Sequence, residues 1–127
     1  MSEELNSETN KWAGGVHVAA FLMALFTGWS AGVGGMVAAF VVWVAKKDQS
    51  VLIRQNAAEA FNFNFSMFLY AAAAALFAIF TLGLGLILVI PLAIAMAIVW
   101  LWCTIQAARA GFDGEVYHYP LSIKLLS

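Results

Sequence analysis

Two long stretches of this chain carry no charge. No Asp, Glu, Lys or Arg occurs from Trp12 to Ala45, and none from Ala60 to Ala108. A core helix of a soluble protein keeps a polar face, and these stretches have none. A bilayer core about 30 Å thick is crossed by about 20 mostly apolar residues. As single helices the two stretches would be about 51 and 74 Å long at roughly 1.5 Å per residue. Each is too long for one crossing, so each is expected to fold back, which makes four spans. Gly and Ser mark the reversals, at Thr27-Gly28-Trp29-Ser30-Ala31-Gly32 and at Thr81-Leu82-Gly83-Leu84-Gly85. The predicted spans are Trp12–Thr27, Gly32–Ala45, Ala57–Phe80 and Leu86–Ala108. The first two are short, which implies tilt or local thinning of the bilayer. Ser50 suits an N-cap for a helix that starts at Val51 and runs on into the third span. Pro91 predicts a kink in the fourth, because its ring removes a backbone bond.

The expected fold class is therefore all-α: a polytopic membrane protein with four transmembrane helices as two hairpins and an extended cytoplasmic tail. Residues 1–11 form a polar, acidic, disordered N-terminus in this reading, 12–108 the transmembrane domain and 109–127 the tail. Composition agrees, with 64% hydrophobic and 10% charged residues, against roughly 25% charged in an average soluble domain.

The six basic residues are Lys11, Lys46, Lys47, Arg54, Arg109 and Lys124. With four spans all six fall on the side of the termini, and the positive-inside bias makes that side cytoplasmic. Trp12, Trp43, Trp100 and Trp102 sit towards it and Trp29 at the opposite turn, as an interfacial belt requires. Glu3, Glu4 and Glu8 precede the first apolar run with only Lys11 against them, so no cleavable signal is expected. Cys103 is the single cysteine and cannot form an internal disulfide. A net charge of −1 gives no reason to expect nucleic acid as a partner.

The clearest polar feature opens the third span. Gln55, Glu59, Asn62 and Ser66 are spaced by four, three and four residues, which puts them on one helix face, with Tyr70 close to the same stripe. Polar side chains are costly against lipid, so the stripe should face protein or water. Three readings stay open: interhelical bonding that fixes the bundle, a solute groove, or a docking face for a partner helix. Glu59 is the one acid set just inside a span, and His17 lies at a matching depth in span one. The two are expected to pair, either as a structural bond or as a proton-responsive site. His118 lies in the tail, and no cluster has metal-ligand spacing.

Small residues recur at packing intervals: Ala20, Ala24 and Gly28; Gly35 and Ala39; Ala71 to Ala75; Ala93 and Ala97. They predict close helix approach in a compact bundle or an oligomer interface. Gly111 is the expected end of the last helix. Beyond it Tyr117, Tyr119, Leu121, Ile123 and Leu125 alternate with His118, Pro120, Ser122 and Lys124, the period of an extended segment with one apolar side. Such a segment would lie on the bilayer or cover the cytoplasmic end of the bundle, with Tyr117, Tyr119 and Pro120 as candidate contacts. No nucleophile elbow, phosphate loop, dinucleotide fingerprint or carboxylate pair occurs, so neither an enzyme nor a cofactor is expected.

Three segments carry a resemblance: Trp43-Val44-Ala45-Lys46-Lys47-Asp48, then Gln55-Asn56-Ala57-Ala58-Glu59-Ala60-Phe61-Asn62-Phe63, then Gly114-Glu115-Val116-Tyr117-His118-Tyr119-Pro120. With Trp12 and His17 they resemble a bacterial family of small membrane proteins of unknown function. That family is described as distantly similar to the twenty-kilodalton subunit of the chloroplast inner-envelope translocon. The resemblance implies four helices, cytoplasmic motifs and the bacterial inner membrane. One departure is Ala38-Ala39-Phe40-Val41-Val42, where the family often has a proline, so span two should be straighter than usual. The reading that follows is a non-enzymatic membrane module in the lipid bilayer, an accessory or scaffold subunit that binds a membrane-protein partner or its own copies. The alternative is a channel or translocation-like component built around the polar stripe.

Overall fold

The structure is a computed structural model that describes residues 2–26 and 33–127. Among these residues the chain forms four helices and no strand: α1 (Ser2–Phe26), α2 (Val33–Lys46), α3 (Val51–Phe80) and α4 (Leu86–Phe112). The turn expected at 27–32 lies outside the described residues. Helices α3 and α4 are long and apolar enough to cross a bilayer. Helix α2 is apolar but has only 14 residues.

Helix α1 differs from expectation at its start. It begins at Ser2, so the segment before Trp12 is helical rather than disordered. The apolar helix that follows supplies a nucleus from which this segment can propagate.

Other boundaries follow local chemistry. Ser50, in extended backbone, accepts the Ile53 N–H on its side chain and caps α3. Gly111 does not end α4. The helix runs to Phe112 and closes through Gly114, whose φ of +82° only glycine adopts without strain. The Glu115 N–H reaches the Ala110 carbonyl at 2.8 Å and the Gly114 N–H the Gly111 carbonyl at 3.0 Å, a Schellman closure. Gly111 serves packing instead. A Cβ there would lie 2.5 Å from the Gly14 nitrogen, so α1 and α4 touch backbone to backbone.

Helix α1 lies against all three other helices, and α2 packs on α1 and α3, whereas α3 and α4 meet little. The core occupies the end where α1 and α3 begin and α2 and α4 finish. Val16, Ala20, Ala39, Ala57 and Ala60 form one buried cluster there, and Phe63, Met67, Cys103, Ala107 and Tyr119 another. Ala20, Ala24, Gly35 and Ala39 thus do bring α1, α2 and α3 close. Ala71, Ala93 and Ala97 do not: they are exposed and line a gap of about 220 Å³ between α3 and α4.

Candidate functional site: a polar seam between the third helix and the tail

The stripe on α3 is covered by the chain's own C-terminus. Glu59, Asn62 and Ser66 are buried at 7%, 1% and 0% exposure, and each bonds the tail. Glu59 accepts from Lys124 Nζ on both oxygens, at 2.8 and 2.7 Å, from His118 Nδ1 at 3.1 Å and from the Tyr119 N–H at 3.2 Å. Asn62 Oδ1 accepts the Leu125 and Leu126 N–H groups at 3.1 and 2.7 Å, and its Nδ2 donates to the Leu126 carbonyl at 2.9 Å. Ser66 Oγ accepts the Ile123 N–H at 2.7 Å. The Tyr70 hydroxyl donates to the Leu121 carbonyl.

A physical need explains the arrangement. Irregular backbone at the edge of hydrocarbon cannot leave its N–H and C=O groups bare. Side chains of one helix face supply the partners that a strand neighbour or water would otherwise give. Leu121, at φ +60°, turns the tail about its deepest point beside Tyr70. The turn also breaks the expected alternation. Tyr119 is buried, but Leu121, Ile123 and Leu125 face outward. Pro120 is exposed and enters the turn rather than making the contact proposed for it, while Tyr117 is half-buried with its hydroxyl 3.9 Å from Cys103 Sγ.

His17 and Glu59 do not pair. His17, 1% exposed, bonds Asn56 Oδ1 through Nε2 at 2.9 Å and the Tyr119 hydroxyl through Nδ1 at 2.6 Å. Asn56 spends its Nδ2 on the Leu52 and Glu115 carbonyls, so its Oδ1 must accept. That puts the ring proton on Nε2 and leaves Nδ1 to accept from Tyr119. Burial, with Cys103 and Glu59 nearby, pushes the Tyr119 phenol well above its ordinary range, so the donor stays protonated. Both predicted partners therefore meet at Tyr119, His17 at its hydroxyl and Glu59 at its backbone N–H. Tyr119, stacked on Phe63 at 4.3 Å between ring centroids, joins them.

Gln55 is exposed and stands off the seam; Asn56 takes its place. Asn56 lies three residues before Glu59, a spacing that would have found it. Lys124 and His118 gave no such signal, since sequence spacing says nothing of which tail residue meets which helix. Among the described residues no three His, Cys, Asp or Glu side chains converge as a metal site would need.

A family model for magnetosome magnetite crystal formation proteins matches residues 8–126. The chain belongs to that family. The match takes in α1 from Glu8 onward, α2, α3 and α4 whole, and the seam up to Leu126. With two helices able to cross a bilayer, membership makes this a membrane protein. The family match carries no translocon likeness. No curated protein and no solved structure matches the chain.

Proposed function

We propose that this magnetosome-family chain is a non-enzymatic membrane module, an accessory or scaffold subunit of a magnetite-forming membrane. It crosses that membrane four times, as two hairpins, with both termini on the cytoplasmic side. Its part in crystal formation is to organise partners, and it holds no reaction centre of its own.

The sealed seam carries this reading. The polar stripe is the feature from which a hydrated groove would be built, and six backbone groups of residues 119–126 already occupy it. A filled stripe favours a contact module over a channel. What the seam presents outward is Leu121, Ile123 and Leu125, an apolar edge of irregular chain suited to a membrane-protein partner.

Two measurements test this. Reporter fusions at residue 1 and residue 127 should both read as cytoplasmic, and opposite readings would end the four-span model. Liposomes holding the full-length protein should leak ions no faster than empty ones. Sustained flux would replace the module with a channel.

A further inference from the structure

Among the described residues Lys11, Lys46, Lys47, Arg54 and Arg109 form no ion pair, and the first three lie about Trp12 and Trp43. Among the described residues both ion pairs belong to Glu59, with Lys124 and His118. Lys46 stands 4.4 Å over the Trp12 ring and Lys47 4.5 Å over the Trp43 ring, and Lys46 Nζ makes a long 3.5 Å contact to Gln49 Oε1. Lys11 lies one residue before Trp12. It lines a gap of about 220 Å³ between α1 and α2, walled by Trp12, Val16, Ala19 and Val42. Gly15 lines the same gap, and a Cβ there would meet nothing within 4 Å. Lys11 also lines a polar cavity of about 380 Å³ with Asn6, Ser7 and Asn10. Polar space and apolar space therefore meet at Lys11.

We propose that this place is a binding site for an anionic phospholipid, its phosphate held by Lys11 and Lys46 and one acyl chain laid in the gap over Gly15. Three features select that ligand. The apolar gap excludes a free phosphate as the full occupant. The lysines favour an anionic headgroup over a zwitterionic one, because basic pockets between helices at a membrane surface recognise anionic lipid. The Trp12 indole, which walls the gap, holds the Lys46 ammonium group, and Trp sits by preference at the level of the headgroups. The site does not depend on which side of the membrane the termini face, so it stands or falls apart from the proposed topology.

The test uses full-length protein in detergent with added phosphatidylglycerol or phosphatidylcholine, read by retained lipid in native mass spectrometry and by tryptophan fluorescence. Phosphatidylglycerol should be retained in preference to phosphatidylcholine. Each of Lys11→Gln and Lys46→Gln should weaken retention about fivefold. Gly15→Leu should weaken it without changing charge, by filling the gap. Lys11 is exposed and Lys46 and Gly15 are half-buried, and circular dichroism with gel filtration confirms that each variant is folded. Equal retention of both lipids, no loss in the lysine variants, or full competition by inorganic phosphate would each overturn the proposal. Loss in the lysine variants with none in Gly15→Leu would overturn the placement of the acyl chain.

Discussion

Helix α3 is one unbroken rod of 30 residues, yet its two halves live in different surroundings. From Ile53 to Met67 most side chains are buried, including Asn56, Glu59, Asn62, Asn64 and Ser66. From Phe68 to Phe80 none is, and Leu76, Ile79 and Phe80 are 55%, 67% and 83% exposed. The apolar half is the unpacked half. In water that would be perverse, because burial of apolar surface drives folding. In lipid it is expected, since acyl chains solvate Leu and Phe as well as a protein interior does. What gathers helices there is close approach at small residues and polar groups that need partners. Both are concentrated at the packed end.

Small residues at that end give the largest expected effect. Gly111→Leu should cost about 3 kcal/mol, the upper part of the usual overpacking range, because its side chain would enter the backbone of Ala13 and Gly14. Thermal unfolding in detergent reads this directly. A loss under about 1 kcal/mol would mean that α1 and α4 do not cross in backbone contact, and the packed end would lose its tightest joint.

Polar groups come next. Glu59→Leu strips the partner from Lys124, His118 and the Tyr119 N–H, and should cost about 2 kcal/mol, the scale of bonds to a charged group. Lys124 is half-exposed and can return to water, which keeps the figure moderate. Glu59→Gln should cost about half as much, because the amide still accepts. Limited proteolysis supplies a second reading: the tail beyond Gly114 should become cleavable in the Leu variant first. A tail equally protected in both variants would show that Glu59 does not latch it.

Asn62 and Asn64 divide the same helix by face. Asn62 bonds three tail groups, whereas Asn64 Nδ2 bonds only the Ala60 carbonyl of its own helix. Asn62→Ala should therefore cost about 1 kcal/mol, near the middle of measured membrane hydrogen bonds, and Asn64→Ala less. The reverse order would place the working polar face toward α2, where Asn64 meets Gly35.

How far the sequence disclosed this follows from the range of each interaction. The limits of α3 and the start of α4 were legible because their signals are local: Ser50, the Thr81–Gly85 turn and Leu86 all lie where residue chemistry puts them, whereas the start of α1 and the end of α4 departed from expectation. The stripe Glu59, Asn62, Ser66 and Tyr70 was legible because helical periodicity is local too. Its occupant was not. The tail meets it across 51 to 65 residues of chain, and nothing in either segment specifies the register. Hence His17 and Glu59, each correctly read as needing a partner, were matched to each other instead of to the tail. Alternation misled beyond Tyr119 because the chain turns at Leu121, with its positive φ, and leaves Leu121, Ile123 and Leu125 exposed.

The smallest expected effect bears hardest on the comparison. Ala60 and Ala74 lie fourteen residues apart on α3, close to four whole turns at 3.6 residues each, so they face nearly the same way. Ala60 is fully buried between helices, while Ala74 lines the gap between α3 and α4. Ala60→Leu should cost about 1–3 kcal/mol by overpacking. Ala74→Leu should change stability by no more than about 0.5 kcal/mol, the scale of a substitution that meets only solvent, here lipid. Thermal unfolding of the two variants in one detergent decides it. If Ala74→Leu costs as much as Ala60→Leu, the gap is filled by something that packs as protein packs, and a second copy of this chain becomes the first candidate. The exposed half of α3 would then be an unpaired interface rather than a lipid-facing surface, and the contrast between its halves would vanish in the assembled protein.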